Sequence, residues 1–351
     1  MEGTEIPSGF KTTRRAALFP DRLVWLVLLG VVCLGIANLQ ADATNLQGWQ
    51  ATLLEDYFRG TLGNRWTDGV SPLIVQARIL VRLLLGPPVR WFGISPGMAN
   101  LFWQTLFLLA GSLALEDTAR RLGLSRMAAR AGVFFALLGL NWGFLRSGYS
   151  IAYPYDLPAF AFVCLALRSL VLRQRFLFLA MLFLGTLNKE TLVFLIPVYA
   201  LSRAGGQRPA AWFLPLAEAA LVFALAYFLP RWLLSEEITG ITASSGSPGS
   251  PRWQDNLGHL LGRNMVHPGQ HFLWVALFHL PALLMWKKLP FPVKQTYMCL
   301  PLFFLPVFLF GNLWEFRLFG EILPLAGLAT GFWLAGEGVE SVGANQAGRV
   351  S

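Results

Sequence analysis

Between Phe176 and Leu201 the chain is apolar except for one interruption, Leu187-Asn188-Lys189-Glu190-Thr191. A single helix through this run sets Lys189 and Glu190 near mid-bilayer, where each uncompensated charge costs about 2.5–3.5 kcal/mol on insertion scales. Two short helices avoid that cost. Arg173 and Arg175 precede the run and Arg203 and Arg208 follow it, so both outer ends read as cytoplasmic and Asn188 to Thr191 as an outward tip. Arms of roughly 13 residues rise about 20 Å, short of a hydrocarbon core of about 30 Å. The charged tip is therefore expected in a recess below the outer surface, and charges at such depth usually face a wet cavity and mark a functional site.

Composition agrees with a membrane setting. Hydrophobic residues make up 55% of 351 and charged residues 13%, and mean hydropathy is +0.53, a balance that excludes an ordinary soluble enzyme. The net charge of +9 comes without a basic cluster interleaved with polar recognition residues, so no nucleic acid is implied. Cys33, Cys164 and Cys299 lie in apolar runs and are odd in number, which argues against a disulfide framework.

The expected fold class is all-α, a polytopic membrane protein of about ten transmembrane helices that include the short outward-pointing hairpin, with both termini cytoplasmic. Residues 1–22 form a basic cytoplasmic segment and 336–351 a polar cytoplasmic tail, and between them 23–335 form one membrane-embedded domain. A signal peptide competes for the N-terminus, because Ala41-Asp42-Ala43 resembles a small-residue cleavage site. Two outer segments, 40–96 and 230–270, hold most of the hydrophilic residues. In the first, Pro72 to Phe92 carries Gln76, Arg78, Arg82, Arg90 and Pro87-Pro88 and reads as a helix lying at the interface. Spans are expected over 23–39, 99–115, 131–145, 156–173, 176–201 as the hairpin, 211–229, 272–288, 297–310 and 318–335. The loop with Arg120, Arg121, Arg126 and Arg130 then faces inward, and any chemistry faces outward.

Glu55-Asp56 stands in the first outer segment beside Leu53, Leu54, Tyr57 and Phe58. A carboxylate against an apolar surface has its pKa raised toward the range of a general base, although two adjacent acids also read as solvated surface residues or a helix cap. Arg78 and Arg82 share a helix face at i, i+4, where two guanidinium groups suit a phosphate or, equally, snorkel to anionic lipid. Asp156, with Pro158 two residues on, reads as an N-cap at the outer mouth. Asn188, Lys189 and Glu190 form the tip, where Lys189 either contacts an anionic substrate or pairs with an acid as structural glue. Arg317 and Glu321 fall on one face at i, i+4, either as an internal salt bridge or with Arg317 on the same phosphate as Lys189. His267 and His271 have ligand spacing, but Pro268-Gly269 lies between them and no carboxylate completes a set, so no metal is expected. His279 reads as a satisfied helix residue. No nucleophile elbow, P-loop or dinucleotide fingerprint is present.

Taken together, these segments resemble the GT-C superfamily of membrane-embedded glycosyltransferases that use lipid-phosphate sugars. The likeness is one of arrangement: a first span, a long acidic outer segment with an interfacial helix, the short helix pair around Leu187-Asn188-Lys189-Glu190, and Glu315-x-Arg317 with Pro324 opening the last helix. Within that superfamily the chain looks most like small bacterial members with Arg78-Ile79-Leu80-Val81-Arg82, Tyr155-Asp156-Leu157-Pro158 and Asn188-Lys189-Glu190-Thr191 segments. The resemblance implies a polyprenyl-phosphate-linked sugar donor, a glycan, lipid or protein acceptor, and transfer with inversion on the periplasmic or extracellular face of the bacterial inner (plasma) membrane, within the cell envelope. It implies no cofactor. It also implies a base from the first outer segment, which maps onto Glu55 or Asp56, although many members carry a separated acidic pair closer to the first span and some add a soluble C-terminal domain that is missing here. Lys189, Arg78, Arg82 and Arg317 are then expected on the leaving phosphate. Other classes stay open. A secondary transporter calls for paired broken helices in two halves, of which the sequence offers one; a polymerase or ligase of lipid-linked glycans uses the same donor class; and a noncatalytic partner subunit needs no outward constellation.

Overall fold

The computed structural model describes residues 18–45, 79–146, 155–204, 210–233, 253–261, 277–310 and 316–336. These residues are helical with short turns, and no strand occurs among them. In order they form α1 (Leu18–Asn45), α2 (Ile79–Phe92), α3 (Pro96–Arg121), α4 (Arg126–Arg146), α5 (Asp156–Val171), α6 (Arg175–Asn188), a first 3₁₀ helix (Glu190–Phe194), α7 (Leu195–Ala204), α8 (Ala210–Leu233), α9 (Trp253–Leu260), a helical stretch over 277–284, α10 (Phe291–Met298), α11 (Leu300–Phe310), a second 3₁₀ helix (Phe316–Ile322) and α12 (Leu323–Ala335). Four helical stretches are long and apolar enough to cross a membrane: Asp21–Gln40, Gly97–Arg121, Ala211–Pro230 and Phe291–Leu309. Arg175–Asn188 and Phe319–Ala335 are apolar but shorter.

Several boundaries differ from the sequence reading, each for a local reason. The 99–115 span begins earlier, because Ser95 accepts a hydrogen bond from the Met98 amide and Pro96 fills the first turn, where its missing N–H costs nothing. It also runs on to Arg121, and α4 already starts at Arg126. The four-arginine loop thus shrinks to residues 122–125, its charges riding on helix ends. Ala41-Asp42-Ala43 lies inside α1, which continues to Asn45. Of the stretch expected as an interfacial helix, Ile79–Phe92 is helical and lies against α3 and α6, with Trp91 and Phe92 exposed, and 72–78 fall outside the described residues.

Ion pairs gather at one end of the bundle. Asp21 at the start of α1 receives Arg126 (2.6 Å) and Arg130 (3.0 Å) from α4, and Arg130 also stacks over the Trp25 ring at 4.7 Å. Trp25 donates its indole N–H to Glu116 of α3 at 2.7 Å, and Asp117 receives both Arg121 and Arg168 of α5. The start of α1, the end of α3, the start of α4 and the end of α5 therefore meet at this basic end.

α6 and α7 fold back on each other as a hairpin. Phe178 near the start of α6 stacks on Tyr199 near the end of α7 (centroids 4.6 Å apart, planes at 9°), and Tyr199 and Arg175 both reach Glu218 of α8. Gly185 permits the tight return: a Cβ there would come within 2.2 Å of Leu192 on the descending arm.

α5 and α12 are apolar on all sides and buried, as expected of helices surrounded by other helices rather than by lipid. α12 lies antiparallel to α4 at backbone contact: a Cβ on Gly132 would stand 2.3 Å from the Gly327 carbonyl oxygen, and one on Gly331 would stand 3.1 Å from that of Ala128. α12 consequently ends at the basic end where α1 begins. Gly132→Ala and Gly327→Leu are expected to force these backbones apart and to lower stability by about 1–3 kcal/mol or more, read as a fall in unfolding temperature in detergent. Gly35→Ala, which meets nothing within 4 Å, is expected to leave it unchanged.

Candidate functional site

α6 runs from Arg175 at the basic end and stops at Asn188 after 14 residues, about 20 Å at 1.5 Å per residue. Lys189 is the stop. Its backbone is extended (φ −160°, ψ 128°), its N–H still closes the last turn on the Gly185 carbonyl at 2.7 Å, and the chain then enters the first 3₁₀ helix. This geometry turns the Lys189 side chain into the bundle, where it is 1% exposed.

Two carboxylates from other elements meet it. Asp156, the first residue of α5, lies 3.1 Å from the ammonium, and Glu321, near the end of the second 3₁₀ helix, lies 2.6 Å from it. Both are buried. Thr191 donates its hydroxyl to the other oxygen of Glu321, and Asn188 donates its side-chain amide to the Tyr155 carbonyl at 2.8 Å. Three separate stretches of chain (Tyr155-Asp156, Asn188 to Thr191 and Glu321) are thereby tied into one polar knot inside an apolar bundle.

Single-pair energetics explain why this knot is specific rather than merely sticky. Each ion loses several kcal/mol of hydration on burial, and a carboxylate at about 3 Å returns on the order of 5 kcal/mol at an effective dielectric near 20. One partner roughly balances the cost of burying the lysine, and two carboxylates with added hydrogen bonds hold it in one geometry.

The expected site residues fall into three groups. Asp156, Asn188 and Lys189 come together. Asp156 does so by a different route from the expected cap: the N-cap position of α5 is Tyr155, which makes no side-chain capping bond, and Asp156 turns to Lys189 instead. Glu190 opens the first 3₁₀ helix, half-buried. Arg317 lies on the second 3₁₀ helix, and Glu321 on the same helix engages Lys189 and Thr191. Arg82 lies on α2. Glu55, Asp56, Arg78, His267 and His271 fall outside the described residues.

Sequence reasoning left out Glu321 as a lysine partner, together with Thr191 and the Tyr155 carbonyl. The usable signal was a single charge in a run otherwise uncharged from Leu318 to Ala335. Elsewhere, the His279 expected to be satisfied is so at one ring nitrogen only: Nδ1 lies 3.1 Å from the Tyr297 hydroxyl, while Nε2 is buried without a hydrogen-bond partner. No group of three or more His, Cys, Asp or Glu suited to a metal occurs among the described residues.

Comparison with models of protein families, with curated proteins and with solved structures finds no match to this chain.

Lys189→Met strands Asp156 and Glu321 without their ammonium and is expected to cost about 3–5 kcal/mol of stability, the usual penalty for breaking a buried pair. The triple change Asp156→Asn, Lys189→Met, Glu321→Gln removes all three charges together and is expected to recover most of that loss. Thermal unfolding of the four-way series (wild type, the lysine variant, Glu321→Gln and the triple) measures the coupling.

Proposed function

We propose that this protein is a membrane glycosyltransferase of the GT-C kind, moving a sugar from a polyprenyl-phosphate-linked donor to an acceptor on the outer face of a bacterial inner membrane. The observation that carries the reading is the convergence of Tyr155-Asp156, Asn188 to Thr191 and Glu321 into one buried polar knot at the tip of a helix hairpin. Two of these stretches, Tyr155-Asp156 and Asn188 to Thr191, are among those on which the resemblance rests, and all three are far apart in sequence. In this arrangement the basic end is cytoplasmic by the positive-inside tendency, about ten helices cross, both termini lie inside and the tip points outward.

In the proposed reaction Asp56 or Glu55 takes the proton from the acceptor hydroxyl. The acceptor oxygen then forms a bond to the anomeric carbon from the face opposite the lipid phosphate, and the carbon–oxygen bond to that phosphate breaks with its electron pair leaving on the phosphate. Arg78, Arg82 and Arg317 supply the positive charge that stabilises the departing group. Lys189 acts chiefly through placement: with its ammonium held by two carboxylates it fixes the tip bearing Asn188 and Glu190, and through Glu321 it fixes the 3₁₀ helix on which Arg317 lies, four residues upstream. The scheme uses no metal and no cofactor, and a polymerase or ligase of lipid-linked glycans is accommodated by the same donor chemistry.

A secondary transporter is the second reading, favoured by one specific feature. Two helices open as 3₁₀ segments at the polar knot, after Lys189 and around Glu321, where the transporter pattern calls for paired broken helices.

Purified protein in bilayers, supplied with a panel of polyprenyl-phosphate sugars and acceptors, tests the first reading. Turnover is expected in wild type, with a fall of about 10²–10⁴-fold in one of Asp56→Asn and Glu55→Gln and about 10²–10³-fold in Arg317→Ala, each variant remaining folded. Unchanged turnover in all three sinks the mechanism. Absence of turnover across the panel, together with ion-driven solute uptake into vesicles, replaces it with the transporter.

A further inference from the structure

Between α5 and α6 the chain reverses through Arg173, whose backbone is left-handed (φ 56°). The Arg173 N–H donates to the Leu170 carbonyl and that of Gln174 to the Ser169 carbonyl, which closes the end of α5. Glycine adopts this conformation without strain, and an L-residue with a long side chain does not. The turn needs the conformation and not the arginine.

Register gathers further arginines around this turn. Asp117 pairs with Arg168, and a Cβ on Gly111 would stand 2.7 Å from the Ala161 Cα, so α3 and α5 run side by side at an offset of 50 to 51 residues. That offset sets Arg120 level with the last residues of α5, next to the turn. On the other side Arg175 and Tyr199 share Glu218, and the Arg203 guanidinium lies 5.9 Å from the centre of the Tyr199 ring, which brings the end of α7 to the start of α6. Asp117 is taken up by Arg121 and Arg168, and Glu218 by Arg175. Arg120, Arg173 and Arg203 are exposed, and among the described residues none of the three has a carboxylate partner.

This corner is apolar as well as basic. Phe176, at the start of α6, is 83% exposed, and Leu177 and Ala180 are exposed within a sector of about 100° of the same helix. On α8, Trp212 and Phe213 are exposed toward the same end. An acidic soluble protein or a nucleic acid would meet the arginines and leave these side chains uncovered. An anionic lipid covers both: its phosphate accepts charge-assisted hydrogen bonds from guanidinium groups, and its acyl chain lies on the apolar strip. Basic pockets between membrane helices bind lipid headgroups in this way, and tryptophan concentrates at the headgroup level.

We propose that the turn between α5 and α6, with Arg120, Arg173 and Arg203 around it and Phe176 beside it, binds an anionic phospholipid of the leaflet at the basic end. The site is separate from the polar knot, which lies at the far end of α6, about 20 Å along the helix. It stands whichever reaction the knot serves.

Spin-labelled phosphatidylglycerol and phosphatidylcholine, each added in trace to the full-length protein in phosphatidylcholine bilayers, read the preference as the motionally restricted fraction. Wild type is expected to favour phosphatidylglycerol about fivefold or more, the gain from one engaged arginine, and the preference is expected to shrink in high salt. Arg173→Gly removes the charge while suiting the left-handed backbone, so the fold is kept or strengthened. Together with Arg120→Gln it is expected to bring the preference close to one. Arg126→Gln, which removes the same charge from a pair with Asp21, is expected to leave the preference in place. Equal association of the two lipids with wild type overturns the proposal, as does a preference that survives Arg173→Gly with Arg120→Gln. Loss of the preference on adding soluble glycerol phosphate overturns the lipid as the ligand. Wild-type protein alone gives a further check: phosphatidylglycerol with a photoreactive acyl chain is expected to crosslink within residues 173–180, and crosslinks confined to other helices overturn the site.

Discussion

A buried ammonium ion needs its compensation delivered to within about 3 Å, and in this chain the compensation comes from two places far along the sequence. Lys189 ends α6, Asp156 begins α5 and Glu321 lies on the second 3₁₀ helix. Helix packing sets α6 against the first 3₁₀ helix, with Gly185 under Leu192, and α3 against α5, with Gly111 against Ala161. The ion pairs add directional contacts that tie the end of α6 to the start of α5 and to the second 3₁₀ helix.

The bundle has two chemically distinct ends. At the basic end, exposed or half-exposed pairs such as Arg126 with Asp21 and Arg175 with Glu218 join helix termini at sites where water screens them. At the other end three ions are buried and joined by amides and a hydroxyl. The first arrangement tolerates motion and contributes little per pair, whereas the second contributes geometry. The difference follows from dielectric surroundings rather than from residue type, since both ends use carboxylates and long cationic side chains.

Much of this was legible in the sequence because charge in an apolar run has few explanations. The interruption at Asn188 to Thr191 predicted a reversal, and the Phe178–Tyr199 stack shows one. The interfacial stretch at Pro87-Pro88 gave a helix beside the bundle. Pairing was less legible. Asp156 before Leu157-Pro158 matched a capping pattern so well that its long-range partner, 33 residues away, left no local trace. Glu321 was placed on one face with Arg317 by local spacing, which carries no trace of Lys189 and Thr191, the groups it meets from another part of the chain.

The second 3₁₀ helix stores a length. Seven residues at about 2.0 Å each span roughly 14 Å, against roughly 10 Å were they wound as α-helix. The longer rise lets the same seven residues cover more of the path to Lys189, whose ammonium Glu321 meets at 2.6 Å.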